Sequence, residues 1–208
     1  MTTTTRLSLA AVIFPVLVFM TGCASLNTPT AQPGQNLATA STTGTARPYK
    51  DQIQISGRIT VQYQQAGKPQ NLPGSFEWDQ NADAIRISLL SPLGQTLARI
   101  TQNKQGATLE QDGKETRQAS NLNQLLQDTL GWPLPVAGLR DWLQGYVAIN
   151  GNVLTALKPE DQTVESQGWK LRYATWHEAP DFPKRIDLQR YTEQAGDVSI
   201  RIVIDQWK

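Results

Sequence analysis

From residue 52 to residue 63 apolar and polar side chains alternate. Ile53, Ile55, Ile59, Val61 and Tyr63 hold odd positions; glutamines, Ser56, Arg58 and Thr60 hold the even ones, and Gly57 is the sole interruption. Successive side chains of an extended chain point to opposite faces, so this pattern predicts a long strand, dry on one side and wet on the other. Shorter runs repeat it: Phe76 and Trp78 within 75–80, Ile85, Ile87 and Leu89 within 84–90, and a fourth run over 95–102. Asn81-Ala82-Asp83 suits a tight connection, and Asp112-Gly113 centres a weaker hairpin between 108–112 and 115–118. The first half of the pattern is an antiparallel meander.

Between 120 and 145 the period changes. Leu122, Leu125, Leu126 and Leu130 fall at helical spacing behind Ser120 or Asn121, either of which suits an N-cap, and Gly131 suits the end. Pro135 then opens a second helix bearing Val136, Leu139, Trp142 and Leu143, ended by Gly145. A polar insert over 146–167 follows, expected to be without regular pattern, before strands return at 168–174, 185–191 and 197–207. In the last of these Val198, Ile200, Ile202 and Ile204 share one face. The order implies a mainly β fold: one curved antiparallel sheet, apolar on its concave face, with two helices over the opening. Such a sheet closes or nearly closes into a barrel whose interior is either packed solid or hollow.

The N-terminal region carries no such pattern. Arg6 is the only charge in the first 46 residues and precedes a 14-residue, largely apolar run ending at Met20. A span of about 20 residues is needed to cross a bilayer, so the run reads as a secretory signal. Met20-Thr21-Gly22-Cys23 looks like a bacterial lipobox, in which the cysteine thiol is acylated and becomes the first residue after cleavage. Residues 1–22 are therefore the expected lipoprotein signal peptide and Cys23 the expected lipidation site. Ala24 follows instead of Asp, which by resemblance to the bacterial sorting rule points to the outer membrane. Residues 23–50, rich in Thr, Ala, Pro, Gln and Gly, read as the acylated cysteine and a flexible tether with a mean reach on the order of 30 Å. The folded part is expected over 51–208, long enough to bury a core.

Composition removes several functions. Nineteen basic against eighteen acidic residues, with no basic block, leave no field for a phosphate backbone, so no nucleic acid partner is expected. One cysteine and one histidine, His177, exclude an internal disulfide and a Cys-type zinc site, and no metal is expected. No phosphate-binding glycine loop and no Gly-x-Ser-x-Gly elbow occur. His177 has no evident nucleophile beside it, and Asp79, Asp83, Asp187 and Asp205 suit solvated outer-face positions better than acid–base pairs. The chain reads as a binder with no catalytic residues and no cofactor. Six tryptophans either fill a solid core or line a cavity for an apolar ligand, since flat rings give large contact at low entropy cost. Leu93, flanked by Ser91-Pro92 and Gly94, is set to face water at a turn apex, where it is either an ordinary surface leucine or a point of membrane contact.

The run from Ile87 to Arg99, ISLLSPLGQTLAR, together with LGWPLPV at 130–136 and LRDWLQG at 139–145, closely resembles the LolB family of outer-membrane lipoprotein-localisation proteins. Gly168-Trp169, the final Ile204-Asp205-Gln206-Trp207 and the lipobox fit the same pattern, and the resemblance spans 51–207. It implies an unclosed antiparallel half-barrel with a helical lid over a hydrophobic cavity. It further implies that the cavity takes acyl chains of other lipoproteins from a LolA-like periplasmic carrier and passes them to outer-membrane lipid without nucleotide hydrolysis. The family's membrane-insertion loop falls on Pro92, Leu93 and Gly94, and candidate cavity-lining residues are Trp78, Ile87, Leu89, Trp142 and Trp169. A monomer is expected. The competing reading is a structural lipoprotein with a solid barrel, bracing an envelope assembly through a protein interface.

Overall fold

Gly57 marks where the backbone of the last strand crosses the first so closely that no side chain fits between them. A Cβ there would lie 2.0 Å from the Val203 carbonyl oxygen. The pairing register slips between Ser56 and Gly57 at this point, leaving Asp205 as the extra residue of a bulge. The structure, a computed structural model, describes residues 47–208 except 133, 150–152 and 179–180, with the backbone alone at 149. Six strands come first: β1 (Ile53–Gln65), β2 (Lys68–Gln80), β3 (Ile85–Leu90), β4 (Thr96–Asn103), β5 (Gly106–Gln111) and β6 (Arg117–Ala119). Helices α1 (Leu122–Leu130) and α2 (Val136–Trp142) follow. Then come β7 (Tyr146–Ile149), β8 (Val153–Ala156), β9 (Gln162–Ser166), β10 (Trp169–Trp176), β11 (Pro183–Thr192) and β12 (Gly196–Trp207).

Ten strands form one sheet in the order β6-β5-β4-β3-β2-β1-β12-β11-β10-β9, and every pairing in it is antiparallel. β6 and β9 are its two unjoined edges, so the sheet is a half-barrel that does not close. The odd positions of β1 and β3 and the even positions of β2, β4 and β12 put their apolar side chains on one face, which is the concave, buried one. Strand β2 begins well before the alternation predicts. Pro69 and Pro73 donate no ladder bond and interrupt the pattern, but they lie where β3 no longer runs alongside, since β3 pairs only from Ser75 onward.

The helices are built as their sequence suggests. The Asn121 side chain accepts from the Gln124 amide at 2.9 Å, and Gly131, at φ 79°, ends α1 by donating its N–H to the Gln127 carbonyl. Helix α2 is a short segment held in place from outside. Arg140 donates to the Asn81 carbonyl in the β2–β3 turn, and Trp132, in the link between the helices, packs on Tyr63 of β1 with ring centroids 5.6 Å apart.

Two stretches differ from the sequence reading. The insert over 146–167 contains β7, β8 and β9; β7 and β8 pair with each other as a separate ribbon, and β9 extends the main sheet past β10. Its strands are short, but Tyr146, Val147 and Leu157 are buried, and those contacts override weak local alternation. The tether expected over 23–50 gives way at Arg47 to chain bonded to the domain. Tyr49 donates to Asp141 of α2, and Lys50 exchanges two hydrogen bonds with Gln144. Residues 1–46, including the signal, the lipobox and Cys23, lie outside the described residues.

Candidate functional site

Between the concave face of β1–β4 and the inner faces of the two helices lies a cavity of about 330 Å³, a ligand-sized volume. Of the described residues around it only Ser75 and Gln111 carry a hydroxyl or an amide, and none is charged. Its floor comes from β1–β4 and from Ile200 and Ile202 of β12. Its roof is Leu126 and Leu130 of α1, Leu134, Val136 and Leu139, with Leu143 just past the end of α2. Trp78 stands on the wall with its indole N–H already donated, at 3.0 Å, to Gln80 Oε1, so the ring presents carbon to the cavity.

Leu72, Leu97 and Leu130 line the cavity and yet are 52%, 51% and 39% exposed, which makes them its mouth. Helical spacing pointed to Leu130 as a buried-face residue, but sequence reasoning missed the other two. Leu72 lies among the prolines and glycine of β2. Leu97 falls out of the alternation because β4 carries a bulge: Leu89 pairs with Ala98 and Leu90 with Thr96, so Leu97 is the extra residue and turns to the mouth.

The β3–β4 connection rises from the same rim, since Leu90 before it and Leu97 after it both line the cavity. Ser91 builds the turn: its carbonyl accepts from the Gly94 amide at 2.9 Å, and its hydroxyl accepts from the amides of Leu93 and Gln95. Gly94, at φ 82°, supplies the left-handed residue. Pro92 is exposed and Leu93, at the apex, is 89% exposed, so a large apolar side chain is held in water by a well-bonded turn.

Of the residues expected to line a cavity, Trp78, Ile87 and Leu89 stand together on its wall. Trp142 and Trp169 do not. They are 1% and 2% exposed in the solid part of the core. The Trp142 ring folds back over its own helix, where a Cβ on Gly138 would come within 2.5 Å of it, and its carbonyl accepts from the Tyr173 hydroxyl at 3.1 Å. Burial pushes the Tyr173 phenol well above its ordinary value, so it stays a donor. Trp169 lies toward the β9 edge, paired with Ser166 and with the Arg190 guanidinium over its ring.

Ion pairs lie on the convex face of the sheet and at its turns. Asp205 takes a bidentate bond from Arg58, Asp83 pairs with Lys104, and Asp79 accepts from Gln54. Asp187 lies between Arg185 and Arg201. Partial burial pulls the Asp187 carboxyl upward, but the two guanidinium groups outweigh it and hold the group below the ordinary carboxylate range. His177 Nε2 donates to the Ile204 carbonyl at 3.1 Å. These carboxylates and the histidine are engaged away from the apolar cavity.

The family model described as "Outer membrane lipoprotein LolB" matches residues 51–207. The chain is similar to an outer-membrane lipoprotein LolB of Cupriavidus taiwanensis, 38% identical over 162 residues, which are 73% of this chain and 79% of that one. It is 34% identical to a protein of the same name from Ralstonia nicotianae over 208 residues, 95% of each chain. A Pseudomonas syringae relative of that name is 28% identical over 207 residues, 95% of this chain and 94% of its own.

Proposed function

The chain belongs to the LolB family of outer-membrane lipoproteins, and from that premise we propose that its cavity carries acyl chains of other lipoproteins and delivers them to the membrane at Leu93. The family serves lipoprotein localisation at the outer membrane and is not an enzyme family. In this reading Cys23, freed of residues 1–22, carries the anchor and residues 24–46 are the tether. A LolA-like periplasmic carrier hands the cargo to a monomeric domain. The apolar wall around Trp78, Ile87 and Leu89 is the container.

The observation that carries the reading is the shared rim: the exposed apex at Leu93 and the mouth formed by Leu72 and Leu97 adjoin along two strand ends. Each methylene left in water costs roughly 0.8 kcal/mol, so an acyl chain moves between compartments only inside a dry wall and leaves best where that wall meets lipid. Nothing in this route needs nucleotide hydrolysis, provided each successive site binds more tightly than the one before. Leu93 touching the bilayer would bring the mouth to the interface. Replacing Leu93 by Glu puts a charge at that contact without altering the cavity. The variant is expected to take up acylated cargo from a loaded carrier and to fail to pass it to vesicles. Normal delivery by Leu93→Glu would overturn the role assigned to this loop.

A further inference from the structure

The last four residues before Asp51 are bolted to the outer side of the cavity roof. Gln144, with no exposed surface, clamps one residue of this stem: its Oε1 accepts from the Lys50 amide at 2.9 Å and its Nε2 donates to the Lys50 carbonyl at 3.0 Å. The Tyr49 hydroxyl donates to Asp141 of α2 at 2.8 Å, and its ring meets that of Tyr146 edge-on at 5.2 Å. Arg47 donates to the carbonyls of Leu157 and Gly145 at 2.9 and 3.3 Å and lies 4.7 Å over the Trp176 ring. Gly145 makes this seat possible: a Cβ there would stand 2.7 Å from the Arg47 guanidinium and 2.8 Å from Trp176.

On the other side of the same segment Val136, Leu139 and Leu143 form part of the cavity roof. Helix α2 has seven residues and no side-chain N-cap, far short of the dozen or more that make an isolated helix stable, so its position depends on what grips it. We propose that residues 47–50 are positioning residues for the cavity: through Tyr49–Asp141 and Lys50–Gln144 they hold α2 against the sheet and so set the affinity for acyl chains. This rests on the reading of the cavity as an acyl-chain site.

The test uses the soluble chain from residue 24, which keeps the whole described fold, with a fluorescent palmitate as probe and amide exchange of 136–143 as a second readout. Gln144→Leu keeps volume and removes both bonds to Lys50; it is expected to weaken probe binding at least tenfold and to speed exchange in α2 while β10–β12 stay protected. Tyr49→Phe, which removes one hydroxyl and does not endanger folding, is expected to weaken binding two- to fivefold. Arg58→Ala, on the convex face, controls for general loss of stability and is expected to leave the probe Kd unchanged. Probe affinity unchanged in both Gln144→Leu and Tyr49→Phe, with the native chain binding, overturns the clamp alone. Absence of probe binding by the native chain overturns the acyl reading and the clamp with it.

Discussion

The two ends of the sheet share one alternating pattern and do opposite things with it. Under β10 and β11 the concave face is solid: Leu171, Tyr173, Ile186 and Leu188 have no exposed surface, and Trp142 and Trp169 fill the remaining space. Under β1–β4 equally apolar strands face a cavity, roofed by the leucines of the two helices and their link. The difference lies in the cover. The solid end is capped by large rings seated on glycine or a backbone carbonyl, whereas the hollow end is roofed by two short helices, α1 packed on β5 and β6 and α2 tied to the β2–β3 turn through Arg140. A dry void costs the dispersion contacts its walls forgo, so a cavity of this size in an otherwise dense fold points to an occupant.

Truncation separates the two ends most strongly. Leu171→Ala at the solid end is expected to cost about 4 kcal/mol in denaturant unfolding, toward the upper part of the range for buried leucines, because its neighbours cannot close in. Leu126→Ala in the roof is expected to cost about 2 kcal/mol, since it only widens an existing space. Equal losses at the two sites would erase the distinction. Enlargement comes next. Ile186→Phe must overpack a closed site and is expected to lose about 2–3 kcal/mol, whereas Ile87→Phe, with room in front of it, is expected to lose less than about 1 kcal/mol while weakening binding of a fluorescent fatty acid.

A smaller effect is expected on the convex face. Asp187 titrates below its ordinary value in the folded chain, so the contribution of its two arginine pairs is present above the unfolded carboxylate value of about 3.9 and is lost as pH falls through the folded one. Asp187→Asn is expected to cost under about 1 kcal/mol at neutral pH and to flatten the acid side of the stability curve, as thermal melts from pH 6 to pH 2 would show. The smallest effect on stability belongs to Leu93. With its side chain already in water, Leu93→Glu is expected to change unfolding free energy by no more than about 0.5 kcal/mol, so any failure in delivery is a failure of contact and not of fold.

Much of this architecture was legible in the chain. The alternation around Ile53–Tyr63 and Val198–Ile204, the cap at Asn121, the stop at Gly131 and the exposed Leu93 turn follow from local chemistry that a strand, a helix end or a Ser-Pro-Leu-Gly turn imposes wherever it occurs. Strands β7–β9 were not legible, because their pairing is set by burial of Tyr146, Val147 and Leu157 against distant parts of the fold. Nor was the stem: Arg47, Tyr49 and Lys50 follow a polar, low-complexity run, and their partners at Asp141, Gln144, Gly145 and Leu157 lie about a hundred residues away.

The sequence by itself determined which side chains are apolar on which face, and therefore that Trp78, Ile87, Leu89, Trp142 and Trp169 would all be dry. Only the tertiary structure decided which of them line space and which fill it. Periodicity specifies the direction of a side chain relative to its own strand or helix, but the distance to the facing layer depends on how far the cover stands off. Here the Trp142 ring packed on Gly138 fills the space at one end, whereas at the other a bulge turns Leu97 to the mouth and the helices roof a cavity.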